Sequence, residues 1–306
     1  MQVSRRDLVL GAAIRAFAQE PKFFTEVKVV TLLATVHDGS GAIVTNLNKE
    51  DFSVEEDGVP QTIKYFSRES DLSLTIGLLV DTSRSQGPVI DRERSASHTF
   101  LDRVLREDKD QAFVALFDFR VEVLQDLTSS HSKLAEALDE LKIPTHGGTL
   151  LYRAVRECAE NQMRKQPGRK AFVILSDGVD VRSKTTIVTA IEFAQRADTI
   201  IYSILFNKWP LIAYYPSVLP LREIYDARGR RAMQRLARET GGAYFQVSKS
   251  NSIEKIYATI EEQLRNQYSI GYVPERKGAG GRYRQIRLTT RQSGLMVQTR
   301  AGYYAE

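Results

Sequence analysis

The chain has 306 residues, 42% of them hydrophobic and 26% charged, with a formal net charge of +5. This is ordinary globular composition, long enough for one large domain beside a smaller one, and it excludes a disordered or low-complexity chain. No apolar run approaches the roughly 20 residues that span a bilayer, and the single cysteine, Cys158, excludes an intramolecular disulfide and any CxxC metal or redox motif.

The N-terminus reads MQVSRRDLVLGAAIRAFAQE. Arg5-Arg6, a short apolar stretch over 8–14 and Ala16-Phe17-Ala18 resemble a compact twin-arginine export signal with an A-x-A cleavage site. Residues 1–18 are therefore expected to be a signal peptide. The mature chain would begin at Gln19 and lie in the periplasm or cell envelope. The alternative is an amphipathic helix, interrupted at Arg15, on a cytoplasmic protein.

Residues 22–70 read as the N-terminal half of a β domain. VKVVTLLATV is rich in β-branched residues and runs into the turn DGSG. FSVEEDGVPQTIKYF is a hairpin signal across Asp57-Gly58.

Residues 71–267 alternate between short apolar runs and amphipathic stretches. The strand-like runs are LSLTIGLLV, AFVALF, AFVILS, TIIYSILF and AYFQV. Helical spacing appears at Phe100, Leu101, Val104 and Leu105, in TLLYRAVRECAENQM, in TTIVTAIEFAQRA, in RRAMQRLARETGG and at Ile253, Ile256, Ile260 and Leu264. Cys158, at helical spacing from Leu151 and Val155, reads as a buried core thiol. This alternation predicts an α/β fold: a six-stranded, doubly wound, mostly parallel sheet with helices on both faces.

Residues 268–306 return to β, with QYSIGYV, RYRQIRLTT and LMVQTRAGYY as strands. Neither flank has many strands alone. Paired, they would give about six or seven, so the α/β domain is expected to be inserted in a small split β-sandwich.

One stretch does not read as plain structure. In IGLLVDTSRSQG a buried strand runs into Asp81, followed by Ser83 and Ser85 at alternate positions. Ligands of open parallel sheets bind beyond the carboxyl ends of the strands. AFVILSDGVD ends another strand at Asp177, and THGGTLLYRAV sets Thr149 at the start of a helix. If these strands are neighbours, five oxygen side chains converge: Asp81, Ser83, Ser85, Thr149 and Asp177. The set suits Mg²⁺, a hard ion that wants six oxygens and uses few carboxylates, with Mn²⁺ or Ca²⁺ as other hard cations for the same donors. Read alone, D-x-S-x-S is also a common turn sequence.

D-T-S-R-S, then the Thr of G-G-T-L-L, then L-S-D-G, together resemble the metal-ion-dependent adhesion site of von Willebrand factor A domains. The likeness spans about residues 72–267. The flanks NKEDFSVEEDGVPQTIKYFSRE and YSIGYVP…GRYRQIRL…VQTRAGYYA are similar to the bacterial VWFA-related proteins first catalogued in acidobacteria. The resemblance implies that Ser83, Ser85 and Thr149 bind a metal through hydroxyls and that Asp81 and Asp177 act directly or through water. It also implies that a Glu or Asp of a protein partner takes the sixth position.

Other residues near the motif carry two readings. Arg84 is either a solvated side chain or a charge that attracts an acidic ligand. His146 reads as a loop histidine, Asp180 and Ser183 as caps of the next helix, and Asp118 as a turn residue. The segment 207–229 reads as a long loop on the metal face. It is either a partner-binding surface through Trp209, Tyr214 and Tyr215 or a flap on its own domain.

Two other functions were open on sequence. A Mg²⁺-dependent hydrolase would use the same aspartates. However, there is no D-x-D pair, P-loop, G-x-S-x-G elbow or H-E-x-x-H motif. Nucleic-acid binding would use the basic stretches RKGAGGRYRQIR and ARGRRAMQRLAR, which acidic residues elsewhere dilute. The expectation is a binding module without catalysis, without nucleic acid and without a transmembrane segment.

Overall fold

The structure, a computed structural model, describes residues 29–68, 72–206, 219–275 and 281–305. The expected signal peptide at 1–18 and the aromatic residues Trp209, Tyr214 and Tyr215 lie outside the described residues. Among the described residues no helix is long and apolar enough to cross a membrane.

The flanking strands come first in the chain. They are β1 (Val30–His37), β2 (Phe52–Glu56), β3 (Val59–Gln61) and β4 (Ile63–Ser67). The α/β unit follows with strands β5 (Leu74–Asp81), β6 (Gln111–Phe117), β7 (Val121–Thr128), β8 (Arg169–Ser176), β9 (Thr199–Leu205) and β10 (Tyr244–Gln246). Its helices are α1 (Ile90–Val104), α2 (His131–Asp139), α3 (Leu151–Cys158), α4 (Ile187–Arg196), α5 (Leu219–Thr240) and α6 (Ile253–Arg265). The chain ends with β11 (Tyr268–Tyr272), β12 (Tyr283–Thr290), β13 (Met296–Gln298) and β14 (Gly302–Tyr304).

β5 and β8 are buried at all eight positions, as strands covered on both faces must be. The six-stranded sheet has the order β10-β9-β8-β5-β6-β7, and only β7 runs antiparallel to its neighbour. One face carries Leu74, Ile76, Leu78 and Val80 against α1, α2 and α6. The other carries Leu79, Phe113 and Phe172 against α3, α4 and α5. Gly77 is the gap in that second face. A Cβ there would stand 2.5 Å from the Phe113 ring and 2.7 Å from Phe172. The expected doubly wound α/β sheet is thus present.

Two elements were not expected. β7 is an edge strand with no fully buried residue, and polar residues fall on both of its sides, so the strand signal is weak. α2 is only nine residues and buries Leu134, Ala137 and Leu138 alone. A third departure concerns 207–229, expected as loop. From Leu219 onward it is helix. Pro220 falls in the first turn, where its missing N–H breaks no helical bond. The helix ends, as its paired glycines suggested, with Gly241 at φ +89°.

Outside this sheet, two antiparallel sheets have the orders β13-β1-β11-β4 and β14-β12-β2-β3. Each takes strands from both ends of the chain: β1 pairs with β11 and β13, and β2 pairs with β12. Among the described residues they hold eight strands, against the six or seven expected. Two runs that read as single strands are the reason: VPQTIKYF breaks after Gln61 and LMVQTRAGYY after Gln298, and each crosses from one sheet to the other. One hydrophobic cluster, including Leu32, Phe52, Val54, Ile270 and Leu288, joins the two sheets. Asp57 and Gly58, both at positive φ (49° and 76°), make the expected tight turn between β2 and β3. Glu56 is buried there and accepts from Tyr272 Oη at 2.7 Å, from Tyr303 Oη at 3.0 Å and from Arg284.

Candidate metal centre

β5 lies between β6 and β8. The chain leaves β5 to one side first and returns to the other side later, so the crevice beyond its carboxyl end is the switch point of the sheet. Asp81, the last residue of β5, and Asp177, the first after β8, meet there.

The motif turn is built from Asp81. Its Oδ1 accepts from the Ser83 amide at 2.8 Å, which bends the chain out of the strand. Its Oδ2 accepts from Ser176 Oγ at 2.6 Å. A short 3₁₀ turn over Arg84–Gln86 then carries Ser85 back towards the sheet. Ser83 Oγ and Ser85 Oγ are 2.9 Å apart, and Ser85 Oγ donates to Asp177 Oδ2 at 2.8 Å. Asp177 Oδ1 accepts from the Val179 amide at 2.9 Å. Thr149 stands opposite, two residues before α3. Its backbone exchanges hydrogen bonds with Val181 at 3.2 and 2.8 Å. Ser83, Ser85, Thr149 and Asp177 all line one cleft of about 190 Å³, with Arg84 at its exposed edge.

Four of the five expected residues therefore border one cleft. Asp81, fully buried, stands a layer behind them. The oxygen spacing bears on what the cleft could hold. Oxygens sharing an octahedral shell at about 2.1 Å from Mg²⁺ are about 3 Å apart. Ser83, Ser85 and Asp177 already present oxygens at that separation. Among the described residues no three His, Cys, Asp or Glu side chains form a metal cluster, so a cation here would draw on the hydroxyls.

The electrostatics are those of a crowded acidic pocket. Burial, and then repulsion from Asp177, push Asp81 up from 3.8 to about 7, against the pull of hydrogen bonds from Ser176 and Ser83. Glu93 on α1 is fully buried, and neither of its carboxyl oxygens has a hydrogen-bond partner. Its proton is held well above the usual carboxylate range by burial, then by Asp81 and Asp177. Gln86 in the motif turn is also fully buried, with both side-chain polar atoms unpartnered.

Secondary expectations sort themselves around this centre. Asp118 does hold a turn, accepting from the Arg120 amide at 3.0 Å. It also accepts from Thr82 Oγ1 at 2.9 Å, which buckles the β6–β7 turn to the motif. Asp180 and Ser183 cap a helix, but not the next one. They accept from the Tyr152 and Arg153 amides of α3 at 2.9 and 3.1 Å, while Thr186 caps α4. His146 is an exposed loop residue whose ring lies 5.2 Å from that of Phe119. Cys158 is buried, as its spacing implied.

Two glycines fix α5 to the site. A Cβ on Gly229 would lie 2.1 Å from the Asp177 carbonyl oxygen, and one on Gly178 would lie 2.4 Å from the Gly229 carbonyl oxygen. The backbone that carries Asp177 is thus pressed directly on the helix. A larger cavity, about 410 Å³, lies elsewhere, where the amino ends of β8 and β9 face β1. It lacks the hydroxyl–carboxylate set and sits at the wrong end of the strands for an open α/β sheet.

Sequence reasoning did not single out Ser176, Thr82, Gln86 or Glu93. Glu93 had a signal. It falls on the apolar stripe Ile90, Ser97, Phe100, Leu101 and Val104, where a charge is out of place.

Residues 76–180 match the family model described as von Willebrand factor type A domain. No curated protein is significantly similar to the chain. Among solved structures the fold is similar to that of proximal thread matrix protein 1 from the mussel byssus, with 15% identity over 70% of this chain and 51% of that one and a TM-score of 0.52. This chain thus spans about half the length of that protein. The same mussel protein with a zinc-occupied MIDAS motif gives 14% identity, coverage of 70% and 50%, and a TM-score of 0.50. A von Willebrand factor type A structure from Catenulispora acidiphila gives 12% identity over 86% of this chain and 74% of that one, with a TM-score of 0.51. Residues 76–180 thus match the von Willebrand factor type A family model, and the six-stranded, mostly parallel sheet around them has the fold of those domains.

Proposed function

We propose that the protein is a metal-dependent protein-binding module of the adhesion or assembly type, exported to the cell envelope and without catalytic activity. The observation that carries this reading is the run of oxygens Ser83–Ser85–Asp177, spaced 2.9 and 2.8 Å at the carboxyl ends of β5 and β8. Ser83, Ser85, Thr149 and Asp177 would hold a divalent cation, Mg²⁺ in the first instance, with Asp81 bracing Ser83 from behind. Such an ion, bound mainly by neutral hydroxyls, offers a Lewis-acidic position to a carboxylate oxygen.

The residues themselves supply the rest. Asp81 and Ser176 fix the motif turn; Gly229 and Gly178 fix Asp177. Arg84 stands exposed at the cleft edge and favours an acidic partner. The partner is thus a protein that presents a Glu or Asp side chain. The reading is in keeping with the mussel thread matrix protein, whose MIDAS motif is described as zinc-occupied.

Export rests on Arg5-Arg6 and the A-x-A sequence, and is tested by the N-terminus of the protein from native cells. A start at Gln19 supports it, and an intact Met1 contradicts it. The binding function is tested by capture of partners from an envelope extract with and without EDTA, using wild type beside Asp81→Ala. Capture that is lost in both EDTA and Asp81→Ala is expected. Capture that survives both refutes bridging through a metal.

A further inference from the structure

Glu93 is hard to account for as a structural residue. It is fully buried on the face of α1 that packs on the sheet, among Ile90, Ala96, Ser97 and Phe100. Its two carboxyl oxygens have no hydrogen-bond partner. Buried polar groups without partners are rare, because each forfeits its hydration without replacement. Burial, and then the charges of Asp81 and Asp177, act on it, which ties it electrostatically to the metal centre. A second orphan lies in the motif turn itself. Gln86 directly follows Ser85, is fully buried, and has neither its amide nitrogen nor its amide oxygen paired. Two buried, unsatisfied side chains thus lie on the motif turn and on the helix it leads into, behind the residues that line the cleft.

We propose that Glu93, supported by Gln86, is a positioning residue of the metal centre: a third carboxyl group, one layer behind the ligands, that strengthens retention of a divalent cation. This rests on the metal-binding reading above and deepens it. In a site with two carboxylates and three hydroxyls, a cation keeps much of its charge, and metal affinity without a partner is weak. A buried carboxyl group behind that set offsets part of the charge through a low-dielectric wall. The cation in turn compensates the buried carboxyl, which has no other partner. Groups one layer behind metal ligands commonly change affinity by about 10–100-fold when altered.

The test uses the full chain and Mn²⁺ alone as the titrant, read by calorimetry, with thermal melting of the metal-free protein alongside. Glu93→Gln keeps the shape and removes the acid. Weaker Mn²⁺ binding by about tenfold or more is expected, with a metal-free melting temperature equal to or above wild type, since a merely structural residue would lower it. Gln86→Met, which keeps the length and removes the amide, is the second variant, in case Glu93→Gln fails to melt cooperatively. It should also bind Mn²⁺ more weakly without loss of metal-free stability. Wild-type affinity, within twofold, in the folded variants overturns the proposal and leaves the metal site standing. A wild-type chain that takes up no Mn²⁺ overturns the metal reading itself, and this proposal with it.

Discussion

The contact between α5 and the loop after β8 allows a sharp prediction for Gly229→Ala. Two effects oppose each other. Alanine inside a helix is favoured over glycine by about 1 kcal/mol, and Gly229 lies well within the 22 residues of α5. Against this, the new methyl would stand 2.1 Å from the Asp177 carbonyl oxygen and 3.1 Å from a Val179 methyl. An ordinary contact needs about 3.4 Å or more, so helix and loop must part by more than 1 Å. Neither can yield by rotating a side chain, since the obstacle is backbone. Overpacking of this kind costs about 1–3 kcal/mol. With an overlap above 1 Å against backbone, the cost falls in the upper half of that range, about 2–3 kcal/mol; the steric term wins, and the net loss should be about 1–2 kcal/mol, or roughly 3–6 °C in melting temperature for a domain of this size. The assay is urea unfolding with Gly87→Ala as control, where the nearest atom to an added Cβ is a carbonyl oxygen at an ordinary 3.5 Å. The control should be neutral within about 0.5 kcal/mol. A Gly229→Ala protein as stable as wild type, or more so, would refute the reasoning: helix propensity would have prevailed, and α5 would not be pressed on the loop that carries Asp177.

Three further outcomes follow from particular groups. The folded-state pKa of Asp81 is raised to about 7, so its contribution to stability is fully present below about pH 4 and is lost as pH rises through 7; metal-free protein should be less stable at pH 8 than at pH 5, by up to roughly 2.5 kcal/mol from this group. Asp81→Asn should flatten that dependence in denaturant titrations, and an unchanged pH profile would contradict it. Cys158, its thiol pushed up to about 12 by burial and then by Glu157, should resist a thiol reagent at pH 8 until the protein unfolds; rapid labelling of native protein would contradict its burial. Arg284→Met should cost about 3 kcal/mol or more in urea unfolding, because it strands the buried Glu56 with two tyrosine hydroxyls and no cation; a neutral result would show that water reaches the pair.

The sequence was most readable where local and global signals agreed. Buried parallel strands advertise themselves as apolar runs, so β5, β6, β8 and β9 were plain, and the meeting of Asp81 and Asp177 beyond the carboxyl ends of β5 and β8 followed from that architecture. β7 and α2 were missed because an exposed edge strand and a short helix with three buried residues carry little pattern. β13 and β14 read as one strand because their break, Thr299–Ala301, has no proline and no glycine before Gly302. Asp180 and Ser183 were legible as caps but not as caps of α3, since that pairing depends on Thr149 meeting Val181 across the cleft. Gln86 needed the structure, and Glu93 nearly so: its place on the inward stripe of α1 was the one signal, and its burial without a partner is what sets it apart.

The central claim is that Ser83, Ser85, Thr149 and Asp177 hold a divalent cation, with Asp81 behind them. Its most direct test is equilibrium binding of Mn²⁺ to the full chain, counted by electron paramagnetic resonance, in wild type and Thr149→Val. Among the described residues Thr149 is engaged through its backbone alone, so valine removes the hydroxyl and keeps the shape. Wild type should bind one Mn²⁺ per chain, and Thr149→Val should show a clear loss of affinity at unchanged melting temperature. Equal Mn²⁺ binding by both proteins, or none by either, would contradict it.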